Sequence, residues 1–259
     1  MARHFRSRKN SGQTLIITAL TISLLTLSIA YGVFEAGRRN GLRSETSLNL
    51  PVFATKLGLK NTVTSALVNV SNGGENTILG TNLDEYASFV GNQSYFGKCT
   101  ILSTVLDVSP YESGIWMSWG SDGTGVSSAY ANFTLVFTET TADMELEHAT
   151  NITTCLVVEG VYTKVGGTSK QVNVTCNIFN EGEAALAHSI TLYYDFDGNS
   201  GTSDWTAAPS PSVTDYGNGT YTISFVAETQ TENDPMIVSA QVYDLREIFV
   251  LANVTCTET

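Results

Sequence analysis

The sequence predicts a mainly β protein with an N-terminal transmembrane helix, in which a small α+β membrane-proximal domain is followed by an antiparallel β-sandwich. Three observations lead to this fold class: a long uncharged apolar segment near the N-terminus, a following stretch with helical spacing of apolar residues, and a C-terminal stretch of short β-branched runs separated by turn residues. With 259 residues, the chain is long enough for two domains of ordinary size beside an anchor.

The apolar segment predicts a membrane span. No charged residue occurs from Ser11 to Phe34, and the run that begins at Leu15 is apolar with scattered Ser and Thr. At about 1.5 Å per residue, such a helix is long enough to cross roughly 30 Å of hydrocarbon. A cleaved secretory signal would usually have a shorter apolar region and a small-residue cleavage site, and Ala30-Tyr31-Gly32 is a poor site of that kind. The predicted order is a basic tail over residues 1–12, a transmembrane helix over 13–34 and a helical stalk over 35–50, which Pro51 ends.

The placement of charges, cysteines and glycosylation sequons predicts the orientation of this span. Four Lys and Arg residues and His4 precede it, whereas the three Arg residues that follow closely are offset by Glu35 and Glu45. All four cysteines and every Asn-X-Ser/Thr sequon lie after it, where an oxidising and glycosylating compartment would use them. We therefore expect a single-pass protein of the cell membrane with a cytoplasmic N-terminus and an extracellular body.

The composition is that of an exported β-protein. The net charge is −12, and charged residues make up 15% of the chain, against roughly 25% in an average soluble domain. An acidic surface repels the phosphates of nucleic acids, so nucleic-acid binding is disfavoured. The expected partner is the membrane.

One face of the predicted span carries small and hydroxylated residues at alternating four- and three-residue steps. Its members are Thr14, Thr18, Thr21, Ser28 and Gly32, with Leu25 in the same row. Such a stripe allows close approach and hydrogen bonds between membrane helices, which predicts self-association. The alternative is that the stripe only reflects the high Ser and Thr content of the chain, since these side chains also form hydrogen bonds to carbonyls of their own helix.

The entry to the span reads Arg8-Lys9-Asn10-Ser11-Gly12-Gln13, a basic patch and a Gly-Gln step before the apolar helix. In this region, about the first 35 residues, the chain resembles archaeal type IV pilin-like and TadE-like proteins. The resemblance implies cleavage by a prepilin peptidase after Gly12, with Gln13 as the new N-terminus, and assembly through the N-terminal helix.

Residues 51–150 predict the α+β domain. Apolar residues from Leu57 to Val70 and from Ile78 to Phe89 have helical spacing, and Asn72-Gly73-Gly74 separates them as a turn. Strand patterns follow at Cys99 to Leu106 and at Tyr130 to Phe137.

Residues 151–259 predict the sandwich. The strand patterns are Leu156 to Val165, Gln171 to Phe179, Ile190 to Phe196, Thr220 to Ala227, Ile237 to Tyr243 and Ile248 to Thr255. The segments from Gln171 to Asn177 and from Asp215 to Thr222 resemble strands and hairpins of immunoglobulin-like and fibronectin type III-like surface modules. That resemblance implies a fold used for spacing and adhesion, and it carries no catalytic residue with it.

The four cysteines, Cys99, Cys155, Cys176 and Cys256, show no Cys-x-x-Cys spacing, so a zinc or redox motif is unsupported. Outside the cell we expect them to form disulfides. Of the three possible connectivities, Cys176 to Cys256 with Cys99 to Cys155 keeps each bridge within or at the edge of one predicted domain. Buried free thiols are the alternative.

Seven sequons make the body a candidate glycoprotein. Their asparagines are Asn69, Asn92, Asn132, Asn151, Asn173, Asn218 and Asn253. Asn132 and Asn173 lie inside predicted strands, where a glycan requires the outward face of the sheet.

Two other clusters have both a functional and a structural interpretation. The loop from Asp195 to Gly201, followed by Asp204, offers oxygens to a cation, but a hairpin turn explains the same residues without a ligand. Trp116, Trp119 and Tyr111 could stack on a sugar or a partner, although core filling is commoner for such residues.

No catalytic motif occurs. The only histidines are His4, His148 and His188, and Gly-x-Ser-x-Gly, phosphate-loop and His-Glu-x-x-His patterns are absent. The sequence therefore predicts a protein without enzymatic activity, cofactor or metal: a membrane-anchored cell-surface protein of structural or adhesive function. A pilin-like subunit is the first alternative. An extracytoplasmic ligand-binding or enzymatic domain is the second, and it would require a polar-lined pocket.

Overall fold

The computed structural model describes residues 49–93, 98–138, 143–199 and 205–259. Residues 52–259 belong to one compact unit. The described ranges contain two helices, α1 (Asn49–Ser71) and α2 (Ile78–Gly91), and thirteen strands: β1 (Lys98–Val105), β2 (Ile115–Trp119), β3 (Thr124–Thr138), β4 (Met144–Gly166), β5 (Ser169–Asn180), β6 (Glu183–Ala184), β7 (Ala187–Asp195), β8 (Trp205–Ala207), β9 (Ser212–Asp215), β10 (Thr220–Glu228), β11 (Ile237–Asp244), β12 (Phe249–Thr255) and β13 (Thr257–Glu258).

The two helices follow the predicted apolar spacing and are separated by the predicted turn. Gly73 in that turn has a φ of +93°, which favours glycine. Pro51 lies inside α1, which is described from Asn49 to Ser71, so the prediction that a helix ends at this proline is wrong.

The larger sheet has nine strands, in the order β1-β3-β4-β5-β10-β9, with β2 beside β3, β6 beside β5 and β13 beside β4. The strands pair antiparallel, except that β13 runs parallel to β4. Burial alternates along β3, β4, β5 and β10, as the two-residue period of a strand requires. We call the solvent-facing side, formed by the even positions of β3 and the odd positions of β4, the outer face.

Two clusters of buried side chains lie against the opposite, inner face. The C-terminal core fills the space between β4, β5 and β10 and a second sheet of order β12-β11-β7-β8; it includes Leu156, Val174, Ile223, Val238 and Val250. The N-terminal core packs α1 and α2 on β1, β3 and the beginning of β4; it includes Leu59, Leu67, Leu83, Phe133 and Ile152.

Strand β4 contributes to both cores. Ile152 belongs to the N-terminal core and Leu156, four residues later, to the C-terminal core. The strand pairs with β3 from Met144 to Val157 and with β5 from Thr154 to Gly166. The predicted boundary between residues 51–150 and 151–259 therefore falls inside one continuous strand. The division into two domains stays a prediction.

A buried ion network fastens the β11–β12 hairpin to the middle of β4. Asp244 is fully buried, and its Oδ2 accepts hydrogen bonds from Thr154 Oγ1 at 2.9 Å and Arg246 Nε at 2.8 Å. Arg246 Nη1 lies 2.7 Å from Glu181 Oε1, at the end of β5. A buried carboxylate with this many donors is compensated, and removing one partner would leave an unpaired charge.

The mainly β, antiparallel part of the predicted fold class is confirmed. The strand patterns at β1, β5, β7, β10, β11 and β12 are each found within a few residues of the predicted positions. The predicted tail and span, and most of the stalk, lie outside the described residues. Among the residues that are described, no helix is both long and apolar enough to cross a membrane.

Candidate functional site on the outer face of the large sheet

The outer face of β3 and β4 brings polar and aromatic side chains together. The register pairs Tyr130 with Asn151, Asn132 with Ala149, and Thr134 with Glu147. Because successive residues of a strand alternate between faces, all six of these side chains belong to the outer face.

Three aromatic residues form a cluster at one end of this face. The ring centroid of Tyr111 lies 5.9 Å from that of Trp116 and 6.2 Å from that of Tyr130. All three are half-buried, so part of each ring is open to solvent. Edge and tilted contacts of this kind stabilise a fixed aromatic surface.

Of the aromatic residues singled out in the sequence, the structure joins Tyr111 with Trp116 but not Trp119. Trp119 lies three residues after Trp116 on β2 and so points to the other face, where its ring meets Phe249 edge-on at 5.2 Å. Tyr130, which sequence reasoning did not single out, takes its place. Alternation along the predicted strand from Tyr130 could have placed it beside Asn132, but its contact with Tyr111 depends on the fold.

Ser128 joins the aromatic cluster to the polar residues. Its fully buried hydroxyl lies 2.9 Å from Tyr111 Oη and 2.7 Å from Thr153 Oγ1, and it donates to Asn151 Oδ1 at 3.3 Å. Thr153 Oγ1 also donates to Asn151 Oδ1 at 3.2 Å. This network holds Tyr111 over the sheet and orients the Asn151 amide.

A depression of about 390 Å³ lies beside the aromatic cluster, lined by Asn132, Phe133, Thr134, Glu147, His148 and Ala149. Four of these residues have outer-face side chains, and Glu147 gives the site a negative charge. Burial and, to a smaller extent, the charge of Lys56 lower the pKa of His148, which favours the neutral imidazole.

The sequons differ in accessibility. Asn69, Asn92, Asn132, Asn151 and Asn218 are exposed, whereas Asn173 and Asn253 are half-buried. Asn173 does lie on the outward face, but its Oδ1 accepts a hydrogen bond from Ser224 Oγ of the neighbouring strand. Asn253 Oδ1 is buried and has no hydrogen-bond partner among the described residues.

The cysteines are free thiols in this structure. The register places Cys99 opposite Phe137, and Phe137 opposite Met144, eleven residues before Cys155 on β4. At about 3.3 Å per residue, Cys99 and Cys155 are roughly 36 Å apart along the strand, so the predicted pairing is wrong for this fold. It failed because β4 is much longer than the sequence pattern indicated.

Cys176 and Cys256 both belong to the C-terminal core, and a bond between them stays a prediction. Burial raises the pKa of each thiol to about 12. The Cys256 sulfur lies over Gly160, 2.3 Å from where a β-carbon would be, so only glycine leaves room for it. Gly160 is two residues from Val158, which pairs with Cys176.

The acidic loop after β7 joins two antiparallel strands, β7 and β8. Asp195 Oδ1 accepts from the N–H of Asp197, and Asp197 Oδ1 from the N–H of Asn199, as in Asx turns. Ser200, Gly201 and Asp204 lie outside the described residues. In the part of the chain that is described, no group of three or more His, Cys, Asp or Glu side chains is arranged to hold a metal ion.

The predicted helix-packing face and the predicted processing site at Gly12 and Gln13 also lie outside the described residues. No protein-family model matches the chain, and no curated protein matches it either. The outer face is therefore interpreted from its own chemistry.

We expect Ser128→Ala to destabilise the protein by about 1–3 kcal/mol, because it leaves the hydroxyls of the half-buried Tyr111 and Thr153 without their shared partner. Denaturant unfolding measures this change. Ser118→Ala, at an exposed position of the adjacent strand β2, is the matched control and should change stability by less than about 0.5 kcal/mol. Equal effects of the two substitutions would contradict the role given to Ser128.

Proposed function

We propose that the protein is a membrane-anchored cell-surface protein of structural or adhesive function, tethered by the span predicted over residues 13–34. Its ectodomain comprises an α+β membrane-proximal part and a β-sandwich of immunoglobulin-like type. The observation that carries the proposal is the outer face: two exposed sequon asparagines, Asn132 and Asn151, lie on the neighbouring strands β3 and β4 of a broad polar sheet face, beside a fixed aromatic cluster.

The polarity of the outer face supports a role in solvent outside the cell. Along β5 and β10 it presents hydroxyl and amide side chains, among them Asn173, Thr175, Thr222 and Ser224. Such residues are neutral and hydrated and provide no electrostatic attraction for phosphate. The half-exposed rings of Tyr111, Trp116 and Tyr130 give the same face a stacking surface, which suits contact with sugars or another cell-surface protein.

Surface labelling of intact cells with a membrane-impermeant amine reagent tests this proposal. Lys60 and Lys98 are exposed in the body, whereas Lys9 lies in the predicted cytoplasmic tail. We expect labelling of Lys60 and Lys98 in intact cells and of Lys9 only after lysis. Labelling of the body lysines only after lysis would refute an extracellular body.

A second candidate function, a pilin-like subunit, is favoured by exposed apolar side chains on α1. Leu50 and Phe53 are each 65% exposed and Leu57 is 47% exposed. With spacings of three and four residues, they form one apolar stripe on the helix surface. Contiguous exposed apolar side chains indicate an interaction surface, and packing between the N-terminal helices of neighbouring subunits would cover this one.

In a pilin-like assembly, Phe53→Asp should weaken association of the full-length protein by about tenfold or more, because it removes a buried phenyl ring and introduces a carboxylate. Chemical cross-linking in native membranes, with electron microscopy for filaments, measures the effect. Val213→Asp, at a 53% exposed position of β9, is the control and should leave assembly unchanged. Intact mass should show a mature N-terminus at Gln13, and an uncut N-terminus with no cross-linked species would exclude this candidate.

A further inference from the structure

We propose that Asn132 carries an N-linked glycan and that its first sugar lies in the depression beside it, against the ring of Tyr130. The inference rests on the proposed function, since it requires the body to meet a glycosylation machinery outside the cytoplasm. It goes further by selecting one of seven sequons and assigning the depression and Tyr130 to the attached sugar.

The geometry at Asn132 leaves the reacting atom available. The side chain is exposed, and its Oδ1 accepts a hydrogen bond from Tyr130 Oη at 3.0 Å. An Asn amide has a carbonyl acceptor and a separate NH₂ donor. With the carbonyl held by Tyr130, Nδ2 is the atom left for modification.

The sequon hydroxyl lies on the same side. Thr134 follows Asn132 by two residues in an extended strand, so both side chains project from the outer face. At the Asn69 sequon, by contrast, the Ser71 hydroxyl is buried and occupied: it donates to the Val68 carbonyl and accepts from the Phe249 N–H. Asn132 thus presents both the amide and the hydroxyl that a transferase recognises.

Room for a sugar exists beside Asn132. Asn132 lies between Thr104 of β1 and Ala149 of β4, both small. The depression of about 390 Å³ that it borders falls in the roughly 300–1,000 Å³ range of small-ligand sites. At Asn151, by contrast, the cross-strand neighbour is Tyr130, and the hydroxyl of the sequon residue Thr153 is engaged by Ser128 and by Asn151 itself.

The Tyr130 ring supplies the contact surface. The hydrogen bond to Asn132 holds the ring next to the amide, and the contact with Tyr111 fixes it from the other side. The apolar C–H face of a pyranose packs favourably on an aromatic face, as other amphipathic groups do. Thr134 and Glu147, at the far side of the depression, can hydrogen-bond to sugar hydroxyls.

The chemical step is a transfer from a lipid-phosphate-linked sugar, catalysed by a membrane oligosaccharyltransferase. Nδ2 of Asn132 attacks the anomeric carbon, so an N–C bond forms while the C–O bond to the carrier phosphate breaks. The carrier leaves as the phosphate anion, and the amide proton passes to a carboxylate of the transferase. No oxidant or reductant is required.

Glycopeptide mass spectrometry of the full-length protein from its native membrane tests the assignment. We expect a glycan on Asn132 and none on Asn253, and Asn132→Gln should remove one glycan mass whereas Asn253→Gln removes none. An unmodified Asn132 in a protein whose body lysines label from outside would overturn this inference while leaving the proposed function intact. Failure of surface labelling would instead refute the proposed function.

A thermodynamic cycle tests the contact with Tyr130. Tyr130→Ala should lower the Tm more in the glycosylated protein than in the Asn132→Gln variant, because only the former loses the sugar contact. Tyr130→Phe, which keeps the ring, should preserve most of this difference. Equal losses in both backgrounds would overturn the placement of the sugar against Tyr130.

Discussion

The long strand β4 is the constraint on which the rest of the described structure depends. Its 23 residues pair with β3 at the beginning and β5 at the end, and its inner side chains pass from the N-terminal core into the C-terminal core. Between these, Thr154 is fully buried and hydrogen-bonds to Asp244, which fastens the β11–β12 hairpin at the point where the cores meet. Loss of β4 would expose apolar side chains of both cores at once.

The same strand makes the outer face continuous. Because β3, β4, β5 and β10 belong to one sheet, their outward residues form a single polar surface, and the aromatic cluster and the depression share it. The inner side chains supply the hydrophobic stabilisation, which leaves the outer positions free to carry sequons and half-exposed rings. This separation of stability from surface chemistry is the physical basis of the proposed extracellular role.

Local patterns in the sequence predicted much of the fold, and the errors arose where tertiary structure overrides them. Alternating apolar residues located β5, β10, β11 and β12, and the Asn72-Gly73-Gly74 turn located the break between α1 and α2. The beginning of β4, where exposed Glu145 and Glu147 alternate with half-buried side chains, was not among the predicted strands. Because this part of β4 was not predicted, Cys155 was expected to lie near Cys99, and the predicted disulfide between them was wrong. Trp116 and Trp119 were grouped in one candidate stacking cluster, but the register of β2 shows that they lie on opposite faces.

Native-state hydrogen exchange of the full-length protein in increasing denaturant tests most directly whether β4 unites the two cores. Amides of core strands, such as Leu135 in β3 and Val174 in β5, should converge with those of β4 on one opening free energy, because neither core can open without its share of that strand. Two separate opening free energies would contradict this role of β4. In that case residues 151–259 would exchange as an independent unit while β1 and β3 stay protected.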